Sequence, residues 1–309
     1  MKVIRRSFAE LGASIVQRMT RRSLFGSPGF IQLWKTVGGT DYYWTVEADN
    51  DIVAILPVVE FGAGPFRRAQ SLPDGCYSTF FSEETNPNIE ALKAELLAAI
   101  ERVGYARFYL NDYFRLFQPI QKEWEVCQSS TLVADISSPT WAPPDTTLRS
   151  EIRKAERENV SVGIFEAERH LQPFLTLMNQ TEQRHGRRPK YPEQFYRALA
   201  NIATIDSRIL WLYCEHEGEA IASQIFLIEN EMALNWQNYL NKKHSSFKAG
   251  QYLTATAAVM LKKRGVTHLN FGSSPLAQSN DLQTYKKKWG GVEKTYPCYI
   301  RKSFLGRLW

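Results

Sequence analysis

The order of apolar and polar segments predicts an α/β (α+β) chain in two halves, each a mixed sheet flanked by helices. Three observations carry this. Stretches with an apolar period of two alternate with stretches of helical spacing along the whole chain. Pro143 and Pro144 break that pattern near the middle, and two adjacent prolines continue neither a helix nor a central strand. The second half then runs helix, strand, two helices, a three-strand meander, helix, strand, helix, strand. The 309 residues suffice for about two domains. The expected boundary gives one domain at 1–140 and a second at 141–309.

The elements follow in order. Residues 41–48 and 51–61 are rich in aromatic and β-branched side chains, and Asp49-Asn50 between them reads as a hairpin turn. Residues 88–103 carry Ala, Leu and Glu at helical spacing. Strands are expected at 106–110 and 131–136. Asp145, Thr146 and Thr147 supply cap residues for a helix over 148–159. A strand at 160–165 and helices at 171–185 and 192–205 follow. Strands at 208–214, 220–228 and 232–239 are joined by short turns at Glu217-Gly218 and Glu229-Asn230. A long helix at 251–264, a strand at 266–271 and a last strand at 296–301 complete the second half.

Composition narrows the class. The apolar content of 44% and charged content of 23% are ordinary for a soluble globular protein. No apolar stretch approaches the roughly 20 residues of a membrane helix. The basic start, with Arg5, Arg6, Arg18, Arg21 and Arg22, lacks a continuous apolar core, so no secretory signal is expected. The four cysteines are scattered, with no Cys-x-x-Cys and no histidine pair at zinc spacing. Buried thiols in a reduced, cytoplasmic setting and no metal site are the expectation. A net charge of +6 suits an anionic ligand: a nucleotide-containing cofactor, a nucleic acid or an anionic lipid surface.

The most informative stretch is Asn270-Phe271-Gly272-Ser273-Ser274, followed by Tyr285-Lys286-Lys287-Lys288-Trp289-Gly290-Gly291. A buried strand ends on a glycine, and a short piece with three lysines in an aromatic frame stops at a double glycine. This resembles the C-terminal signature of FemAB-like acyltransferases of the GNAT superfamily, with Tyr285, Lys286, Trp289 and Gly290 as its aromatic-Lys-x-x-aromatic-Gly pattern. Ser27-Pro28 with Trp34 resembles the family's opening helix. The apolar run 52–59 resembles its early strand, and Leu72-Pro73-Asp74-Gly75 with Tyr77 its Leu-Pro-x-Gly turn. Residues 148–160, with Ile152-Arg153-Lys154-Ala155, resemble the basic helix that opens its second half. The long helical arm of the tRNA-using branch has no counterpart heptad run here. The resemblance implies two tandem GNAT-like domains, each with a mixed, mainly antiparallel sheet.

Candidate site residues lie in the second half. Polar and basic residues from Asn241 to Lys248 precede a helix start at Ala249, Gly250 and Gln251. Free backbone N–H groups at a helix start bind phosphate. GNAT proteins hold the pyrophosphate of coenzyme A after their fourth strand, so the resemblance makes Lys248, Ala249, Gly250 and Gln251 the donor segment. The plain alternative is an ordinary basic loop beside a cap glycine. Lys286 matches the family's substrate-binding lysine, next to Tyr285, while Lys287 and Lys288 face solvent. Glu182 and His185 are positioned to take a proton from an attacking amine. Alternatively, Glu182 pairs with an arginine and His185 ends a helix. Trp236, Asn238 and Tyr239 end a strand expected to border the cleft. Asn238 is a candidate substrate or oxyanion contact, because a buried amide needs partners.

The resemblance implies an N-acyltransferase with no tightly bound cofactor, using an acyl-CoA co-substrate. Its acceptor is the amine of a polar, cell-envelope-related metabolite, small or lipid-linked: an amino sugar or a peptidoglycan precursor. Two alternatives stay open: aminoacyl transfer from tRNA onto a peptidoglycan precursor, and a non-catalytic nucleic-acid- or anionic-surface-binding protein.

Overall fold

The computed structural model describes residues 2–49, 51–82, 88–117, 124–273 and 280–307. Asn50 of the expected hairpin turn and Ser274 of the signature lie outside them. The chain divides into two compact units, 1–129 with 295–309, and 130–294.

The first unit begins with β1 (Lys2–Arg6), the short helices α1 (Phe8–Leu11), α2 (Ala13–Thr20) and α3 (Pro28–Gln32), and the hairpin β2 (Thr40–Ala48) and β3 (Asp51–Phe61). β4 (Arg68–Ser71), β5 (Phe81–Ser82), α4 (Ile89–Val103) and β6 (Arg107–Asn111) follow. β1 stands in the basic start of the chain, for which no element is named from the sequence. Its cations are cross-strand partners: Arg5 donates to Glu60 at 3.0 Å, and Arg6 pairs with Glu47. The Leu72–Gly75 turn has positive φ at Leu72, Asp74 and Gly75. α4 connects two strands, β4 and β6, that pair in parallel, which antiparallel turns cannot do. Its buried face, Leu92, Leu96, Leu97 and Ile100, has helical spacing.

β7 (Trp124–Asp135) passes from the first unit into the second. It starts well before Thr131; after the buried Trp124, residues 125–128 are exposed and carry no burial signal. The second unit continues with α5 (Thr146–Arg157), β8 (Ser161–Ile164), α6 (Ala167–Arg184), α7 (Glu193–Ile205) and the meander β9 (Ile209–His216), β10 (Glu219–Glu229) and β11 (Met232–Leu240). It ends with α8 (Ala249–Lys263), β12 (His268–Ser273) and α9 (Asn280–Lys288). Asp145 caps α5, its Oδ1 accepting from the Leu148 N–H at 2.7 Å. Glu217 and Gly218 both have positive φ, as a two-residue hairpin turn requires. The sheet order is β7-β12-β11-β10-β9-β8, antiparallel except for the parallel pair β11 and β12 joined through α8. One core lies against α5 and α8 and includes Phe226, Leu253, Leu261, Leu269 and Trp289. On the α6 and α7 side Phe165 stacks on Trp211 at 3.8 Å.

The final elements are β13 (Val292–Lys302) and α10 (Phe304–Arg307). Cys298 to Lys302 pair antiparallel with Asn111 to Arg107 of β6. The chain end therefore rejoins the first sheet, whose order is β1-β2-β3-β4-β6-β13 with β5 on β3. This differs from a single cut with 141–309 as one domain. Pairing across nearly 200 residues leaves no mark on the local pattern that suggested the cut at the prolines.

Candidate functional site

The parallel pair in the second unit shapes the site. β11 and β12 pair only over Met232–Leu234 and His268–Asn270. Beyond Leu234, β11 stays paired with β10 as far as Leu240. No further pairing with β12 occurs among the described residues. A register shift at Ile225/Phe226 makes Trp236 an extra residue in β11, a bulge that bends the strand. β12 turns at Gly272, whose φ is 71°. The two strands thus part at their carboxyl ends, where open α/β sheets bind ligands.

The expected donor segment lies at this opening, because α8 starts just after β11. Lys248 is the N-cap, in the left-handed region, and makes no side-chain cap bond. The first turn of α8 carries no acidic residue, so its N–H groups keep their partial positive charge. A Cβ on Gly250 would meet nothing within 4 Å; the space beside this backbone is open. The Gly250 carbonyl accepts from Gln224 Nε2 at 3.1 Å, and Thr254 Oγ1 lies 3.0 Å from both that carbonyl and Gln224 Oε1. Ala249 is fully buried. One expectation changes here. The Lys248 ammonium sits 2.8 Å from Glu151 Oε1 on α5, and Gln251 Nε2 lies 3.3 Å from Oε2 of the same residue. Lys248 is half of an ion pair rather than an uncommitted phosphate ligand.

Lys286 is buried on α9, and its Nζ donates to the Gly272 carbonyl at 2.8 Å. Burial lowers its pKa to about 8. Lys287 is exposed and Lys288 half-buried. Tyr285 packs against the α8-side core and hydrogen-bonds to Thr254, which ties α9 to the Gln224–Gly250 network. The double glycine ends α9. The Gly291 N–H bonds back to the Lys286 carbonyl at 3.3 Å. A Cβ on Gly291 would lie 2.7 Å from that oxygen, so only glycine fits.

The remaining expected residues divide by sheet face. Asn238 pairs in register with Gln224 and so shares the α8 face; it is exposed. Tyr239 pairs with Ser223 and faces α6 and α7. Its hydroxyl lies 3.0 Å from the Tyr196 hydroxyl and donates to Gln237 Oε1 at 3.0 Å. Burial pushes the Tyr239 phenol up to about 12. Glu182 is buried at the end of α6 and accepts from Arg187 Nε at 2.8 Å, as the ion-pair alternative predicts. His185 is the exposed C-cap of α6. Trp236 is half-buried, 6.3 Å from Phe195.

Sequence reasoning passed over Gln224, Thr254, Tyr196 and Gln237. Gln237 is buried, and its Nε2 has no hydrogen-bond partner among the described residues. The available signal was a lone glutamine inside each of two apolar strands. A groove of about 590 Å3 in this unit is lined by α5, the later part of α8 and residues near Trp141, and not by Lys286 or Gly250. Among the described residues no group of three His, Cys, Asp or Glu side chains is placed to hold a metal ion.

Residues 145–287 match the family model of the acetyltransferase (GNAT) domain. The chain carries a GNAT acyltransferase domain. Its whole length has the fold of a FemX crystal structure: 12% identity, TM-score 0.69, covering 100% of this chain and 98% of that one. The C-terminal domain of a putative lysylphosphatidylglycerol synthetase from Agrobacterium fabrum is also similar, at 11% identity and TM-score 0.62, covering 96% and 92%. So is a tandem GNAT protein from the clavulanic acid biosynthesis pathway, at 10% and 0.51, covering 97% and 98%. At these identities the likeness is one of fold: FemAB-like, with a mixed sheet in each unit. No curated protein matches by sequence.

Proposed function

We propose that this chain moves an acyl group from an acyl-CoA donor to the amine of a polar, cell-envelope-related metabolite such as an amino sugar or a peptidoglycan precursor. The observation that carries the donor side is the parting of β11 and β12 beside the uncapped start of α8, with open space at Gly250. Backbone N–H groups of that turn suit the donor's phosphates. The opened edge of β11 offers backbone groups to the acyl carbonyl and its linker. In the transfer the amine nitrogen forms a bond to the acyl carbon, the carbon–sulfur bond breaks, and the amine's proton ends on the departing thiol. The chain's part is to align the two reactants and keep the amine neutral.

Lys286 serves as the cation for an anionic group of the acceptor, a role its low pKa makes pH-sensitive. On the other sheet face the carboxylate of Glu182, with Tyr239 and Tyr196 nearby, is the proton-accepting candidate. His185 lies in the loop that follows.

Calorimetry with CoA tests the donor, together with a mass-spectrometric screen of amines against several acyl-CoA thioesters. Binding that is lost in Gly250→Val, with melting temperature unchanged in the absence of CoA, supports the reading. No heat at millimolar CoA, with binding to aminoacylated tRNA, replaces the donor and leaves the acyltransferase class intact.

A further inference from the structure

The groove on the second unit is separate from the opening between β11 and β12. Its floor is apolar: Pro139, Trp141, Ile152, Ala255 and Val259. Its rim is cationic: Arg149 and Arg153 of α5, and Lys262 and Lys263 in the last turn of α8. No carboxylate lines it. Arg149 donates to the Pro143 and Pro144 carbonyls at 2.8 and 2.9 Å, and Lys262 to the Pro139 carbonyl at 3.0 Å. Neutral partners hold these cations in place without cancelling their charge. Arg153 and Lys263 are exposed, and Val259 is 57% exposed despite being aliphatic.

We infer that this groove docks on the surface of an anionic phospholipid bilayer. The chemistry on both levels points there. Two arginines one helical turn apart give forked donors suited to phosphate, and the lysines add point charges on the facing helix. Between them, the Val259 side chain and the half-buried Trp141 indole form an apolar ledge of the kind that settles at the headgroup–acyl boundary. A nucleic acid would want a track of stacking rings, and the groove offers one indole. No described helix is long and apolar enough to cross a membrane; the contact is peripheral. The inference stands independently of the acyl donor and acceptor proposed above.

The test is co-sedimentation of the full chain with phosphatidylcholine vesicles, with and without about 30 mol% phosphatidylglycerol. The expected result is binding only to the anionic vesicles, weakening as salt is raised. The double substitution Arg153→Glu/Lys263→Glu lowers partitioning about tenfold or more. Val259→Asn lowers it at constant charge. Arg18→Glu/Arg102→Glu, the same charge change on exposed cations of the first unit, leaves it within about twofold. Brominated acyl chains quench tryptophan emission in the wild type and less in Trp141→Phe. Equal losses in the two double variants mean net charge alone, and overturn the inference. So does unchanged binding in Val259→Asn, or soluble polyglutamate binding through Arg153 and Lys263 as tightly as vesicles do. Circular dichroism on each variant confirms the fold.

Discussion

Replacing Lys286 with methionine should make the protein more stable and less active at the same time. The amine is buried and donates to the Gly272 carbonyl, and its pKa falls from 10.5 to about 8. That fall corresponds to about 3 kcal/mol in favour of the neutral amine. At pH 7 the amine is charged in both the folded and the unfolded chain, so the whole penalty is felt. Methionine keeps the stem and drops the charge. Losing the bond to Gly272 returns about 1–2 kcal/mol, so the variant gains about 1–2 kcal/mol net at pH 7. The sign with pH follows from linkage. Between about 8 and 10.5 the unfolded chain binds one more proton than the folded one at this site, so wild-type stability from this group rises with pH. The wild type should gain about 2–3 kcal/mol on the variant from pH 7.5 to 10, so that the variant's advantage closes and reverses. Urea unfolding of both proteins at constant ionic strength measures it. Parallel stability curves across that range would refute the buried, desolvated amine. In kinetics, a cationic role predicts that kcat/KM declines as pH rises through about 8, and that Lys286→Met loses about ten- to a hundredfold.

Three further outcomes are expected. Gly291→Ala forces a Cβ to within 2.7 Å of the Lys286 carbonyl; thermal melting should show a loss of about 1–3 kcal/mol, along with a raised acceptor KM as α9 shifts. Thr254→Val keeps the shape but removes the hydroxyl that Gln224, Gly250 and Tyr285 share, which should cost about 1–3 kcal/mol in urea unfolding. Glu182→Gln breaks an ion pair whose arginine is 58% exposed, worth at most about 1 kcal/mol. If the carboxylate takes the amine's proton, kcat falls about a hundredfold or more at nearly unchanged stability; a change within about threefold assigns Glu182 to pairing with Arg187 alone.

The second unit was largely legible because its signals are local. The meander's period of two, the Asp145 cap, the Glu217-Gly218 turn and the spacing within α7 and α8 each act over a few residues. The double glycine after Lys288 was legible for the same reason. What escaped depends on residues far apart in the chain. β1 carries a basic pattern that makes sense only with Glu47 and Glu60 beside it. β13 joins the first sheet through pairing to β6. In the site, Lys286 stands out in sequence through its neighbours, and its burial agrees. Lys248 misled, since the sequence shows a cation before a helix and does not show Glu151 from a different helix 2.8 Å away. Asn238 was singled out because an amide is hard to place in a core. The bulge at Trp236 changes the alternation, so that Asn238 comes out on the α8 face and exposed.

In the proposed reaction, that bulge lets one strand serve two reactants. In a regular strand, residues two apart share a face. Through the shift at Trp236, Asn235 pairs with Phe226 and Gln237 with Ile225, so these two residues point to opposite faces. β11 therefore presents Asn238 toward α8 and the donor turn, and Gln237 and Tyr239 toward α6 and α7, where Glu182 sits. A bulge costs one ladder position, and here it falls where β11 has already parted from β12. Along this length the edge of β11 that faced β12 is left open. An acyl carbon held along that edge would then meet an amine arriving from the Tyr239 side. Deleting Trp236 to restore regular pairing should preserve the core of the meander and abolish transfer. A deletion variant that folds and keeps its kcat would show that the bulge is incidental.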